Sequence, residues 1–214
     1  MLTAYAACCS EGAITYVEYS YARNIGFRVV KVLNKANYYV EPTTASVAVA
    51  LLDAKLHPDL THDLSQVYVN PDPQAYPLSS YTYMILPKDL SSTFNLEKGK
   101  TLSEFASYVL REGQRQADTL GYAPLPINLV QAGIDQVNQI PGSTHKPNRN
   151  DLNQCHNPTV TSDGGNLVAE NAPQPAPCDL KGAPMPCATG TGRATTTALD
   201  VTPASPMTVG TTET

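Results

Sequence analysis

An α/β body followed by a disordered C-terminal tail is the fold class this sequence predicts, and three observations predict it. All 12 Tyr and all 3 Phe of the 214 residues lie at or before Tyr122. Ten of the 18 Pro lie at or after Pro141. Before that point, short β-favouring runs alternate with amphipathic helical patterns. Residues 1–140 therefore carry the apolar content of a folded body. The segment 142–214 lacks the aromatic and aliphatic side chains that offset the entropy of ordering a chain.

The elements follow in order. Residues 13–17 are a short apolar run after Gly12 and read as a buried strand. Residues 18–23 are too short to classify, and Asn24-Ile25-Gly26 punctuates them. In 27–33, Phe27, Val29 and Leu33 alternate with Arg28 and Lys31, predicting a second strand ended by Asn34. Tyr38-Tyr39-Val40 is a third extended piece. Thr43 or Thr44 is the expected N-cap of a buried helix over 45–56, which His57-Pro58 ends because the residue before Pro is pushed out of helical geometry. Residues 59–69 stay ambiguous, and Pro71 and Pro73 open a loop.

The segment 80–86 is the strongest predicted strand, with Tyr81, Thr82, Tyr83 and Ile85 in an unbroken run. Thr101-Leu102-Ser103-Glu104 matches a capping box. Leu102, Phe105, Ala106, Val109, Leu110, Gly113, Ala117 and Leu120 then follow helical spacing, with Gly121 just past the end. Pro126 sits at the first turn of a last helix carrying Ile127, Val130, Ile134 and Val137, which Pro141-Gly142 closes.

Charge and composition narrow the function classes. The net charge is −5, and basic residues such as Arg23, Arg28, Lys31, Lys35 and Lys55 are scattered singly. Nucleic acid is not an expected partner. No apolar run approaches the ~18 residues of a membrane span. Residues 1–8 end at Cys8 after small residues, but lack the basic region and apolar length of an export signal. The chain reads as starting inside a longer ancestral protein.

Candidate chemistry is sparse. His57, Asp59, His62 and Asp63 crowd one short stretch, but their spacing does not align metal ligands, and a solvated cluster is the reading. His145, Cys155, His156, Cys178 and Cys187 lack the paired-cysteine spacing of a zinc site. Pro141-Gly142-Ser143-Thr144 and Thr189-Gly190-Thr191-Gly192 precede no helix that could present amides to phosphate. Cys8 has no local base, and Glu11 and Glu18 merely bracket the first predicted strand. Tyr16, Tyr19 and Tyr21 read as packing residues rather than a stacking platform. No catalytic residue, metal site or cofactor is assigned, and the chain is not read as an enzyme. Of the five cysteines, Cys8 and Cys9 are adjacent, and two of Cys155, Cys178 and Cys187 are expected to pair outside the cytoplasm. The short Pro-rich span between Cys178 and Cys187 makes that pair the candidate disulfide.

Four signatures carry a family resemblance. They are Gly12-Ala13-Ile14-Thr15-Tyr16-Val17-Glu18-Tyr19-Ser20-Tyr21-Ala22, then Tyr76-Pro77-Leu78-Ser79-Ser80-Tyr81-Thr82-Tyr83-Met84-Ile85-Leu86, then Gly113-Gln114, and Gly121-Tyr122-Ala123-Pro124-Leu125-Pro126. In this order they resemble the C-terminal half of the phosphate-binding protein family, the substrate-binding component of the bacterial phosphate ABC importer. The likeness runs over roughly 11–141. It implies a fragment of a type II periplasmic-binding-protein-like fold, with two α/β lobes around a phosphate cleft. Residues 11–75 would end the second lobe, 76–141 would return to the first, and 142–214 would be the tail.

The resemblance also implies inorganic phosphate as ligand, ABC permease subunits as partners, and an extracytoplasmic, cell-surface or secreted location. The family's ligand loops precede its Gly-Ala-Ile-Gly-Tyr-Val-Glu stretch, which here begins at Gly12, so phosphate-binding residues remain unknown. Thr15 stands where the family has Gly. The tail run from Cys155 through Asn157-Pro158-Thr159 to Cys178-Asp179 and Cys187 resembles extensions on Gram-positive relatives. The rival reading is a cell-surface structural or adhesion module derived from one binding-protein lobe.

Overall fold

The computed structural model describes residues 14–57, 60–144, 146–150, 157, 165–185 and 187. It opens with an irregular, exposed stretch over 14–17, not the buried strand expected at 13–17; residue 13 itself lies outside the described residues. The side chains of Ile14 and Tyr16 are 87% and 95% exposed. A strand needs a neighbour for its backbone groups, and no strand among the described residues pairs with this stretch. Helix α1 follows at Tyr19–Asn24, covering most of the 18–23 segment the sequence left unclassified and extending into Asn24, which the sequence reads as a break.

Of the strand expected over 27–33, only β1, Val32–Leu33, is paired. It runs antiparallel to β2, Tyr39–Val40, with Val32 opposite Val40 and Leu33 opposite Tyr39. Asn34 makes the turn between them tight. Its Oδ1 accepts from the Tyr38 amide at 3.0 Å, and Asn37 takes the left-handed conformation at φ 65°. Asn readily adopts that region because its short polar side chain bonds locally.

Helix α2 spans Thr44–Leu51 behind Thr43. Thr43 Oγ1 accepts from the Ser46 amide at 3.2 Å, and Ser46 Oγ accepts from the Thr43 amide at 3.0 Å. This reciprocal cap satisfies two amides that the first turn would otherwise orphan. The helix stops well before residue 56, where the sequence had it end. A second hairpin claims that segment: β3, Lys55–Leu56, pairs antiparallel with β4, His62–Asp63. A 3₁₀ turn at Val67–Val69 follows.

The segment 80–86 is not a strand. Tyr81 packs on the α2 cluster and Leu86 on the helical cluster described next, so the segment bridges two cores. Between these anchors Tyr83, Met84 and Ile85 face outward, with Ile85 95% exposed. Its β-favouring side chains have no hydrogen-bonded partner strand among the described residues.

Helix α3 runs Leu96–Leu110, starting several residues before the capping box expected at Thr101. Asn95 is the actual cap, its side chain accepting from the Lys98 amide at 3.0 Å. Gly99 allows this early start: a Cβ there would lie 1.6 Å from the Pro141 carbonyl oxygen. The helix does not continue to Leu120. Gln114 donates through Nε2 to the Val109 carbonyl at 2.7 Å, the acceptor a further α-turn would use. A 3₁₀ turn at Glu112–Gln116 and short α4, Ala117–Leu120, replace it. Gly121, at φ 89°, ends α4 as the sequence predicts.

Pro126 caps α5, Ile127–Val137, which buries Val130, Ile134 and Val137 against α3. Among the described residues the apolar side chains gather into three buried clusters, the smallest being Val130 with Ile134; the other two are larger. Ala48, Val49, Ala50, Leu51, Val67 and Ala75 form one; Ala106, Val137 and Ile140 form the other.

Part of the stretch assigned to a disordered tail is packed on the body. Helix α6, Leu167–Glu170, lies against α2 with Ala169 buried in its core. Asn166 caps it by accepting from the Val168 and Ala169 amides. Small apolar side chains suffice here because α2 already presents Ala48 and Val49, so close approach replaces bulk. A 3₁₀ turn at Pro177–Asp179 precedes an antiparallel bridge between Leu180 and Tyr38.

Candidate functional site

The signature segments that are far apart in sequence meet in space. Glu18 and Ser20 begin α1, and α4 delivers Gly121 and Tyr122 to them. Ser20 Oγ donates to the Tyr122 hydroxyl at 3.2 Å. The Glu18 carboxylate accepts from the same hydroxyl and pushes the Tyr122 pKa up. A Cβ on Gly121 would sit 2.9 Å from the Ser20 Cα, so this junction requires glycine for space as well as for its positive φ. Around it, Arg23 donates to the Asp118 carbonyl and Thr44 to the Asp118 carboxylate.

The third signature has a structural role too. Gln114 Oε1 accepts from the Leu125 amide at 2.7 Å, so one buried side chain ties the end of α3 to the loop before α5. Within the second signature, Ser79 is buried and donates to the Tyr76 carbonyl at 2.7 Å. The backbone amide of Tyr76 in turn donates to the Ser46 carbonyl of α2 at 3.1 Å.

His62 does not join His57 in a metal site. Its ring stacks on Tyr81, with centroids 4.1 Å apart, and its Nδ1 and the Tyr83 hydroxyl share a hydrogen bond of 2.6 Å. Burial, then repulsion from His57, lowers the His62 pKa below its ordinary value. Burial, with the neighbouring Tyr83, pushes the Tyr81 phenol up to about 12. This is a neutral aromatic stack that attaches the segment 80–86 to the β3–β4 hairpin.

A cavity of about 400 Å³ lies where residues 178–187 meet the β1–β2 hairpin. Val29, Lys31, Tyr39 and Glu41 line one side, and Asp179 and Cys187 line the other. Lys31 Nζ lies 2.6 Å from Asp179 and 3.8 Å from Glu41. All three groups are largely withdrawn from water, which strengthens their attraction over that of an exposed pair. Sequence reading missed this cluster, because 148 residues separate Lys31 from Asp179 and no local pattern links them.

Cys178 and Cys187 are joined by a disulfide. Among the described residues, Cys178, Asp179 and Cys187 are the one group of metal-ligand types within reach of one another. With both sulfurs bonded to each other and Lys31 against Asp179, they offer no thiolate donor set. Cys8, Cys9, Glu11, Gly12, Asp59, His145, Cys155 and His156 lie outside the described residues. No helix among the described residues is long and apolar enough to cross a membrane.

Comparison with known proteins agrees with the signatures. The phosphate-binding protein PstS of Methanocaldococcus jannaschii is 31% identical over 135 residues, covering 59% of this chain and 34% of that protein. PstS of Xylella fastidiosa is 30% identical over 122 residues, covering 56% and 32%. PstS of Haemophilus influenzae is 27% identical over 124 residues, covering 55% and 34%. The match thus spans about a third of the length of these curated relatives. No solved structure matches the chain significantly. A family model described as a PBP superfamily domain matches residues 3–112, half of the chain, and its mixed helices and hairpins fit that assignment: the chain belongs to the PBP superfamily.

Proposed function

We propose that this chain is the C-terminal portion of a substrate-binding protein that captures inorganic phosphate outside the cytoplasm. It would deliver that phosphate to the permease subunits of an ABC importer. The observation that carries the reading is the ordered likeness to proteins named phosphate-binding, extending over 135 residues. The role is binding and hand-over, not catalysis.

In this reading residues 11–75 end one lobe and 76–141 return to the other. The bridging course of residues 80–86 between two apolar clusters supports that division. Selective capture of a dianion requires several charge-assisted hydrogen bonds held in place beforehand. The described residues offer no such array. Lys31 faces Asp179 and Glu41, and Arg23 reaches the Asp118 carbonyl. In this reading the ligand set lies in the loops that precede the Gly-Ala-Ile-Gly-Tyr-Val-Glu stretch in the family.

Isothermal titration calorimetry with inorganic phosphate tests this on two proteins. One is the chain itself; the other carries the preceding part of the Methanocaldococcus jannaschii relative joined before Ile14. Saturable binding by the chimera and none by the chain alone is expected. A folded chimera that binds no phosphate overturns the reading. Tight binding by the chain alone overturns the placement of the ligand set.

A further inference from the structure

We propose that residues 177–187 form a strap whose docking on the β1–β2 hairpin is controlled by the redox state of Cys178 and Cys187. This goes beyond the phosphate reading and does not depend on it.

Among the described residues, those after Asn157 are attached to the body at two places of different character. At α6 the attachment is apolar: Ala169 is buried in the α2 core, with Val168 and Ala172 packed beside it. Such burial is insensitive to thiol chemistry. The second attachment is polar and short. It consists of the Lys31–Asp179 pair and the Tyr38–Leu180 bridge, whose hydrogen bond from the Lys181 amide to the Asn37 carbonyl measures 2.8 Å. Every one of these strap groups lies between Cys178 and Cys187, inside the loop the disulfide closes.

That placement makes the covalent bond the organiser of the contacts. With the loop closed, Asp179 and the Lys181 amide reach the hairpin together, and the ordering entropy of the loop is largely removed in advance. With the loop open, a Pro- and Gly-containing run must be ordered for one ion pair and one backbone bridge. Lys31 has a second carboxylate at hand in Glu41, 3.8 Å away, so losing Asp179 does not strand its charge. The hairpin is thus equipped to stand with the strap on or off.

The step balances as ordinary thiol–disulfide exchange. A dithiol gives two electrons and two protons, the bond between the sulfurs breaks, two thiols form, and the dithiol becomes a cyclic disulfide. Strap release then uncovers the Lys31 and Tyr39 side of the cavity.

The test uses the full chain in three forms: oxidised, treated with dithiothreitol, and carrying Cys178→Ser with Cys187→Ser. The double variant isolates this pair from Cys8, Cys9 and Cys155. Hydrogen exchange is read at the Lys181 amide and at the Ile134 amide of α5, and acylation by an N-hydroxysuccinimide ester is read at Lys31. Reduction and the double variant should both speed Lys181 exchange by about a hundredfold, the effect of losing a short staple. Lys31 should acylate faster, while Ile134 exchange stays unchanged. Lys181 protection and Lys31 shielding that persist in both forms overturn the proposal. So does acceleration at Ile134 equal to that at Lys181, which would make the disulfide a general staple of the fold.

Discussion

Asn34 shows how much one side chain settles. It is buried, accepts from the Tyr38 amide, and donates through Nδ2 to the Pro73 and Ala75 carbonyls at 2.9 and 3.1 Å. It thereby fastens the β1–β2 turn to the loop that leads into Tyr76. Asn34→Ala should cost about 2–3 kcal/mol, since it leaves several buried backbone groups without their partner. Asn34→Asp should cost more, because a carboxylate would face carbonyl oxygens; urea midpoints of the two variants check the order. His62 gives a pH prediction of definite sign. Its folded pKa lies below the ordinary 6.5, so the unfolded chain binds the proton first. The stability it contributes is complete above pH 6.5 and is lost as pH falls through the lowered folded value. Thermal melts from pH 8 to 5 should show this loss in the native chain and a smaller one in His62→Gln. An equal loss in both would remove His62 as the cause.

The capping of α3 separates structure from motif at the level of elements. Thr101-Leu102-Ser103-Glu104 satisfies the capping-box pattern, yet Thr101 lies inside the helix and bonds back to the Glu97 carbonyl at 3.3 Å. Asn95 is the cap. Asn95→Ala should cost about 1 kcal/mol, the usual worth of a cap. Thr101→Ala should be within about 0.5 kcal/mol of neutral, as expected for an exposed site away from any such feature. Chemical denaturation of the two variants decides; the reverse order would place the helix start at the motif. The pattern misled because a hydroxyl followed by Glu is also compatible with a helix interior. What moved the start was Gly99 meeting Pro141, a contact between residues 42 positions apart.

Across the described residues, the segments 14–17 and 80–86, which form no regular structure, expose large apolar side chains, with Ile14 at 87% and Ile85 at 95%. Backbone outside any helix or sheet beside exposed apolar surface favours association with other chains. Sedimentation velocity should show concentration-dependent self-association of this chain, and Ile14→Lys with Ile85→Lys should reduce it. Because both side chains face outward, that double variant should hold its denaturation midpoint, with a change within about 0.5 kcal/mol. Unaltered sedimentation in the variant would mean that these segments do not drive association.

What the sequence by itself determined is largely helical and local. A cap at Thr43 or Thr44, the apolar face of α5 with Val130, Ile134 and Val137, the stop at Gly121 and a start beside Pro126 all follow from neighbours within a few residues, and the structure chose Thr43. The family was legible as well, because its signatures are contiguous strings, even though the side chains in them turn out to hold the body together. Tertiary structure decided the rest. The apolar runs at 13–17 and 80–86 have strand propensity, but a strand exists only where another backbone accepts its hydrogen bonds. The docking of α6 depended on the small surface that α2 presents, and that surface is invisible in the composition of either segment. Lys31 and Asp179 became partners only when the strap folded back across 148 residues, since attraction between charges depends on distance in space and local patterns encode only distance along the chain.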